Sequence, residues 1–269
     1  MKYDLFISDY DGTLGEAPKN DIDKETISAI NEYIKKGGIF IVCSGREFRS
    51  IRKICIEQGL KGLVVSFQGA RIHDIETGER IMSGGLGAEF ALKALDEVQP
   101  YGFTPMVYTE ESFYFEEGDQ SEYIEIYEHA VAMKGKRTNL KELIVKLGSV
   151  CKLGWLGEVK AVGESVDKLN ALHNGKDIKY NSGAPFLLEA VNPEYTKGNA
   201  VRFIADYYKV PLEKVIAVGD STNDIDLIVG EWHGVAVGDG KDALKAVAKE
   251  ITVPFNQKPI KTLLEKYCL

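Results

Sequence analysis

The chain has 269 residues, 44% hydrophobic and 28% charged, which is the balance of an ordinary globular protein and excludes a disordered one. That length admits one large domain or two unequal ones. Lys and Arg number 33 against 41 Asp and Glu, a formal charge of −8 with no basic stripe, so nucleic acid is disfavoured as the main partner and a small substrate is expected.

In chain order, residues 3–8 are a short apolar run that reads as a strand. Residues 23–36 carry Ile27, Ile30 and Ile34 at helical spacing, with Gly37 and Gly38 as the stop. Residues 39–43 are continuously apolar, the pattern of a strand in a parallel sheet covered by helices on both faces. A helix over 47–58, a strand over 63–67 and, near the C-terminus, strands over 215–218 and 235–237 repeat the order of run, turn and helix. Both ends of the chain therefore read as one doubly wound α/β layer. From about residue 83 to 182 the pattern changes. Helix signals lie at 88–98, 121–129, 140–147 and 166–172, and strand signals at 104–108, 113–115, 154–159 and 178–181. This mixture predicts an α+β insert whose mostly antiparallel sheet faces solvent on one side. Its aromatics Tyr108, Phe113, Tyr114 and Phe115 read mostly as core, and Glu110, Glu111, Glu116 and Glu117 as solvated turns.

The four cysteines, Cys43, Cys55, Cys151 and Cys268, form no CxxC pair and read as reduced structural thiols. The start of the chain lacks the pattern of a secretory leader, and no apolar run approaches the roughly 20 residues of a membrane span, so a cytoplasmic protein is expected.

Ligands of open α/β sheets bind beyond the carboxyl ends of the strands. Three polar clusters stand there: Asp9 and Asp11 after the first strand, Ser44, Gly45 and Arg46 after the second, and 219–224 (GDSTND) after the strand at 215–218. Taken singly, each is an ordinary turn. Together they put four carboxylates, Asp9, Asp11, Asp220 and Asp224, around one crevice, where they repel unless a cation lies between them. Oxygen ligands suit a hard ion, and Mg²⁺ is typically held by one or two carboxylates plus waters and a substrate phosphate. A metal and a phosphate are thus expected together.

These residues carry a resemblance. DYDGT at 9–13, SGR at 44–46, Lys197 in NPEYTKG, and GDSTND at 219–224 resemble, in order, the four motifs of the haloacid dehalogenase (HAD) superfamily. The insert of about 100 residues between the second and third motifs is similar to the cap of its Cof-type members, subfamily IIB. The resemblance implies a Rossmann-like parallel-sheet core, residues 1–82 and 183–269, with an inserted α+β cap of the C2B type at 83–182. It implies that Asp9 is a nucleophile that becomes an aspartyl phosphate, and that Asp11 supplies its main-chain carbonyl to Mg²⁺ while its side chain moves the protons. It further implies that Ser44 and the following N–H hold a phosphoryl oxygen, that Lys197 neutralises transition-state charge, and that Asp220 is a metal ligand. Asn223 and Asp224 match the pair that positions the phosphate or Lys197 and braces the metal shell. Arg46 reaches the substrate or forms a surface ion pair at a helix start, and both readings stand.

Two departures from the family pattern are visible. The usual NGA after the third strand is Gln68-Gly69-Ala70 here, and GVAMGNA is GVAVGDG at 234–240. Competing motifs fail: Leu14 stands where a calcium loop needs Gly, no Asp-x-x-His completes a lipase triad with Gly219-Asp220-Ser221, and Phe90 breaks a dinucleotide fingerprint at Gly85. His73, His129, His173 and His233 lack zinc spacing. The expected protein is a Mg²⁺-dependent phosphatase of a small phosphorylated metabolite such as a sugar phosphate, with no nucleic-acid or membrane partner, as a monomer or weak homodimer. A phosphomutase of related architecture and a non-catalytic phosphometabolite sensor are the alternatives.

Overall fold

The computed structural model describes residues 1–16, 20–131, 133–173 and 176–269 and divides into two compact units, Met1–Ser83 with Thr196–Leu269, and Gly84–Tyr195. The first unit is built on an eight-stranded sheet in the order Glu250–Ile251, His233–Ala236, Val215–Gly219, Leu5–Ser8, Ile39–Cys43, Leu63–Ser66, Arg71–Asp74 and Arg80–Ser83. The first six strands of that order are parallel, and the last two form an antiparallel hairpin against Leu63–Ser66. The strands LFIS, IFIVC, LVVS and VIAVG are buried along nearly their whole length because apolar groups pack on both faces. Alternation divides them: Phe6, Phe40, Val42 and Val218 pack with Ile30, Tyr33 and Ile51, whereas Leu5, Ile7, Ile41 and Ala217 pack with Val201, Ile204 and Leu227.

Local signals start the covering helices. Asp23 caps Lys24–Lys35, its carboxylate accepting from the N–H groups of Glu25 at 3.0 Å and Thr26 at 3.3 Å. Glu47 does the same for Phe48–Glu57, accepting from Ser50 N–H at 2.5 Å and Arg49 N–H at 2.9 Å. Thr196 caps Lys197–Tyr207 through Asn199 N–H at 3.3 Å, which puts Lys197 at the first position of a buried helix. From Leu5–Ser8 the sheet grows one way through Ile39–Cys43 and the other way through Val215–Gly219, so these strands flank the point where the winding reverses.

The second unit holds a six-stranded sheet in the order Lys179–Ala184, Leu187–Val191, Lys152–Leu156, Thr104–Tyr108, Phe113–Glu116 and Lys136–Thr138, antiparallel except for the last pair. Helices Ala88–Val98, Leu140–Leu147 and Val159–His173 cover one face through Ala91, Ile144, Val162 and Leu169 against Val107, Leu153, Trp155 and Leu188. The expected solvent-facing side is not open at the centre, since every residue of Lys152–Leu156 and Leu187–Val191 is buried. Helix Glu122–Val131 packs there, with Tyr127 edge-on to Phe113 and hydrogen-bonded through its hydroxyl to that of Tyr108 at 2.6 Å. The same face carries a buried ion pair, Lys152 with Glu189.

Some elements differ from the sequence expectation. The junction expected after residue 182 falls at Tyr195/Thr196, because Leu187–Val191 is an inner strand of the insert's sheet, bonded to Lys152–Leu156 on one side and Lys179–Ala184 on the other. The strand expected at 154–159 is Lys152–Leu156, and the helix expected at 166–172 starts at Val159, where the Glu158 carboxylate accepts from Ala161 N–H at 2.9 Å. The strand expected at 235–237 is His233–Ala236, set by its register on Ile216 to Gly219. The hairpin Arg71–Asp74 with Arg80–Ser83 had no sequence signal, because its residues alternate poorly. All four cysteines are free and buried. Among the described residues no helix is long and apolar enough to cross a membrane.

Candidate active site

The site forms where the strands of the first unit end. Asp9 is the residue after Leu5–Ser8, and its N–H donates to Val218 O at 2.9 Å, which ties it to the strand that leads to Asp220. The turn after Asp9 is closed by Tyr10 O, which accepts from the N–H groups of Thr13, Leu14 and Gly15. Gly12 is required in that turn: its φ is +79°, and a Cβ there would lie 2.6 Å from Asp220 Oδ2.

Lys197 holds the centre. At 1% exposure its ammonium donates to Asp9 Oδ1 at 2.5 Å and to Asp224 Oδ1 at 2.6 Å. Asp224 is fully buried and its other oxygen accepts from the N–H groups of Asp220 at 3.2 Å and Ser221 at 3.1 Å. Asp220 Oδ1 accepts from the buried Thr13 hydroxyl at 2.9 Å. The first, third and fourth motifs therefore meet, with Asp9, Asp220 and Asp224 each bringing an oxygen within 4.8 Å of the others.

Asp11 points elsewhere. Its side chain is 47% exposed and accepts both Nε–H of Arg46 at 2.8 Å and an Nη–H at 2.5 Å. Arg46 also donates to Asn20 Oδ1 at 2.8 Å and lies 4.9 Å from the centre of the Tyr10 ring. Of the two readings of Arg46, the ion pair is the one formed in this structure, and its partner is the second acid of DYDGT. Ser44 is fully buried, and its Oγ accepts from Arg46 N–H at 3.1 Å. Among the described residues Asn223 makes no hydrogen bond to Lys197 or Asp9 and donates instead to Gln68 Oε1 at 3.3 Å. The sequence reading assigned no place in the site to Thr13 and left open whether Gln68 contacts substrate. The DGT of the first motif held a signal for Thr13, whereas Gln68 is brought in by its own loop.

The electrostatics follow from crowding. Burial, together with the carboxylates of Asp224 and Asp220, pushes Asp9 well above the usual carboxylate range against the pull of Lys197. Burial and then Asp224 push Asp220 up to about 6, with the Thr13 hydroxyl opposing. Burial acts to discharge Lys197, but Asp224 and Asp9 outweigh it and hold the ammonium charged. Three carboxylates thus face one ammonium, and this all-oxygen, electronegative set fits a hard divalent cation. Asp224 is already committed to Lys197 and two N–H groups, so Asp9 and Asp220 are the side chains available to hold an ion.

This carries a pH consequence. Asp220 and Asp9, both raised, must be ionised to bind a cation, so the apparent affinity for Mg²⁺ is expected to fall at least about tenfold per pH unit below about 6. Calorimetric titration of the protein with Mg²⁺ from about pH 4.5 to 7.5 reads this slope. An affinity flat across that range would remove Asp220 from the donor set.

A family profile of haloacid dehalogenase-like hydrolases matches residues 6–264. The chain belongs to that family. It is 26% identical over 269 residues to the 5-amino-6-(5-phospho-D-ribitylamino)uracil phosphatase YitU of Bacillus subtilis, covering 98% of this chain and 97% of the relative. It is 22% identical over 252 residues to the HMP-PP phosphatase of Serratia proteamaculans, covering 93% and 89%. The solved structure of the HAD subclass IIB sugar phosphatase BT4131 superposes with a TM-score of 0.79 at 18% identity over 98% of each chain. The chain is thus a Cof-type HAD hydrolase whose curated relatives include phosphatases, and its parallel-sheet core and α+β insert are a fold like that of the subclass IIB sugar phosphatase.

Proposed function

We propose that this HAD hydrolase is a Mg²⁺-dependent phosphomonoesterase of a small organic phosphate, a sugar phosphate or similar metabolite, working through a phosphorylated Asp9. The observation that carries the reading is the buried Lys197 ammonium bridging Asp9 and Asp224 with Asp220 beside them. Asp9 and Asp220 would hold Mg²⁺, with the Asp11 carbonyl as the expected third protein ligand. When bound, the ion offsets the repulsion between an anionic nucleophile and an anionic phosphoryl group.

The residues of the chain divide the remaining work. An Asp9 oxygen attacks phosphorus as the bond to the leaving oxygen breaks, and Lys197 balances charge on the phosphoryl oxygens. The leaving alkoxide takes a proton from Asp11, which then accepts a proton from the water that attacks phosphorus and frees Asp9. Asp11 now accepts from Arg46 with both oxygens, so the proton steps require that guanidinium to turn away, and the substrate is the natural competitor for it. Ser44 Oγ and Gly45 N–H hold a phosphoryl oxygen. We assign the insert Gly84–Tyr195 the selection of the leaving group, and the four free cysteines agree with a cytoplasmic setting.

The test is release of inorganic phosphate from an aryl phosphate with and without Mg²⁺, followed by a panel of sugar and other metabolite phosphates. Release that stops with EDTA supports the reading. A chain that only moves phosphate between oxygens of one sugar would be a mutase, and one that binds without turnover would be a sensor.

A further inference from the structure

Strand Leu63–Ser66 runs into three successive residues with positive φ, Phe67 at 52°, Gln68 at 59° and Gly69 at 104°. The left-handed region is unfavourable for a bulky residue, so two such residues in a row persist only where surroundings over-determine them. They do here. Phe67 N–H donates to Arg46 O at 2.9 Å and Gln68 N–H to Ser44 O at 3.2 Å, which locks the loop to the SGR segment. A Cβ on Gly69 would sit 2.3 Å from the carbonyl of Thr196, so the loop is also pressed against the residue before Lys197.

The result is a Gln68 side chain 8% exposed and laid against Gly45, where an added Cβ would be 2.4 Å from Nε2. Asn223 Nδ2 donates to Gln68 Oε1, and Nε2 is the end of the Gln68 amide nearest Gly45. Ser44 Oγ already accepts from Arg46 N–H, so its own hydrogen is available to donate. Among the described residues, neither Gly45 N–H nor Gln68 Nε2 is bonded to an acceptor. Three donors without a protein acceptor among the described residues therefore gather after strand Ile39–Cys43, which pairs with the strand that leads to Asp9.

We propose that Gln68 is a phosphate-binding residue of this site, its Nε2–H donating to a non-bridging phosphoryl oxygen beside the Ser44 hydroxyl and Gly45 N–H. Asn223 is its positioning residue, acting on phosphate through the Gln68 amide. The assignment rests on the phosphatase reading above. It also accounts for the glycine at 45, which leaves the room that the Gln68 amide group fills.

The test uses the full chain with Mg²⁺ and inorganic phosphate as the probe. The native protein, Gln68→Met, Gln68→Glu, Asn223→Ala and Asp9→Asn are compared for aryl phosphate turnover, phosphate affinity by calorimetry and thermal unfolding. Gln68→Met keeps the volume and removes the donor. It is expected to weaken phosphate binding and lower kcat/KM by about 10- to 100-fold at an unchanged unfolding temperature. Gln68→Glu turns a carboxylate on the phosphate and should lose more, and Asn223→Ala should lose less in the same direction. Native phosphate affinity in a folded Gln68→Met protein would overturn the role of Gln68 alone, leaving the phosphatase reading to the Asp9→Asn result. Phosphate binding without turnover would sink the phosphatase reading while the Gln68→Met affinity still decides this one. If Gln68→Met fails to fold, Asn223→Ala decides it, and native affinity there overturns the proposal.

Discussion

Asp9→Asn is expected to lower steady-state phosphate release by about 10⁴-fold or more, because the amide cannot form the phosphorylated intermediate that divides the reaction into two steps. The substitution is nearly isosteric, and the amide oxygen it introduces can still accept from Lys197, so the site keeps its shape. Stability should not fall. A carboxyl whose folded pKa lies above its unfolded value stabilises the fold only when protonated, and its ionised form costs stability above the unfolded pKa. Removing that charge at neutral pH therefore relieves repulsion from Asp224 and Asp220. Phosphate release and chemical denaturation of the same preparations measure both effects. Turnover within about tenfold of native would remove Asp9 from the covalent role.

Lys197→Met should harm stability and turnover together. The ammonium is the counter-charge of two buried carboxylates, and breaking such a pair by removing one member costs roughly 3–5 kcal/mol. Losing transition-state charge stabilisation adds about a 10²- to 10³-fold drop in kcat. The stability deficit should shrink as pH falls, because the orphaned Asp9, already raised by burial and its carboxylate neighbours, then takes up a proton, and it should shrink at neutral pH when Asp224→Asn is added. Equal denaturation midpoints for native protein and Lys197→Met at pH 7 would mean that the buried pairs contribute nothing net.

Much of the core was legible because its signals are local. Parallel strands covered on both faces must be continuous apolar runs, so 39–43 and 63–67 could be read almost to the residue. The insert was harder. Residues 153–157 are apolar or glycine through the end of the strand, and only Gly157 and the Glu158 cap separate it from the helix that starts at Val159. The chain at 187–191 lies close to the third motif in sequence, yet its partners are strands at 152–156 and 179–184, which hydrophobicity alone does not reveal.

The same division runs through the site. The acids of DYDGT and GDSTND were identifiable because each cluster follows a strand at the ligand-binding end of an open sheet, and Lys197 because the resemblance to the HAD motifs pointed to it. Their partners were not. That Asp224 and not Asn223 meets Lys197, that Arg46 holds Asp11, and that Gln68 lies over Gly45 are contacts across 27, 35 and 23 positions of chain. By itself the sequence determined the class of fold, the family and the residue types that face the crevice, since these follow from periodicity, turn chemistry and motif order. Only the tertiary structure decided which carboxylate pairs with which cation and which donors remain free, because hydrogen bonds act over about 3 Å of space and take no account of distance along the chain.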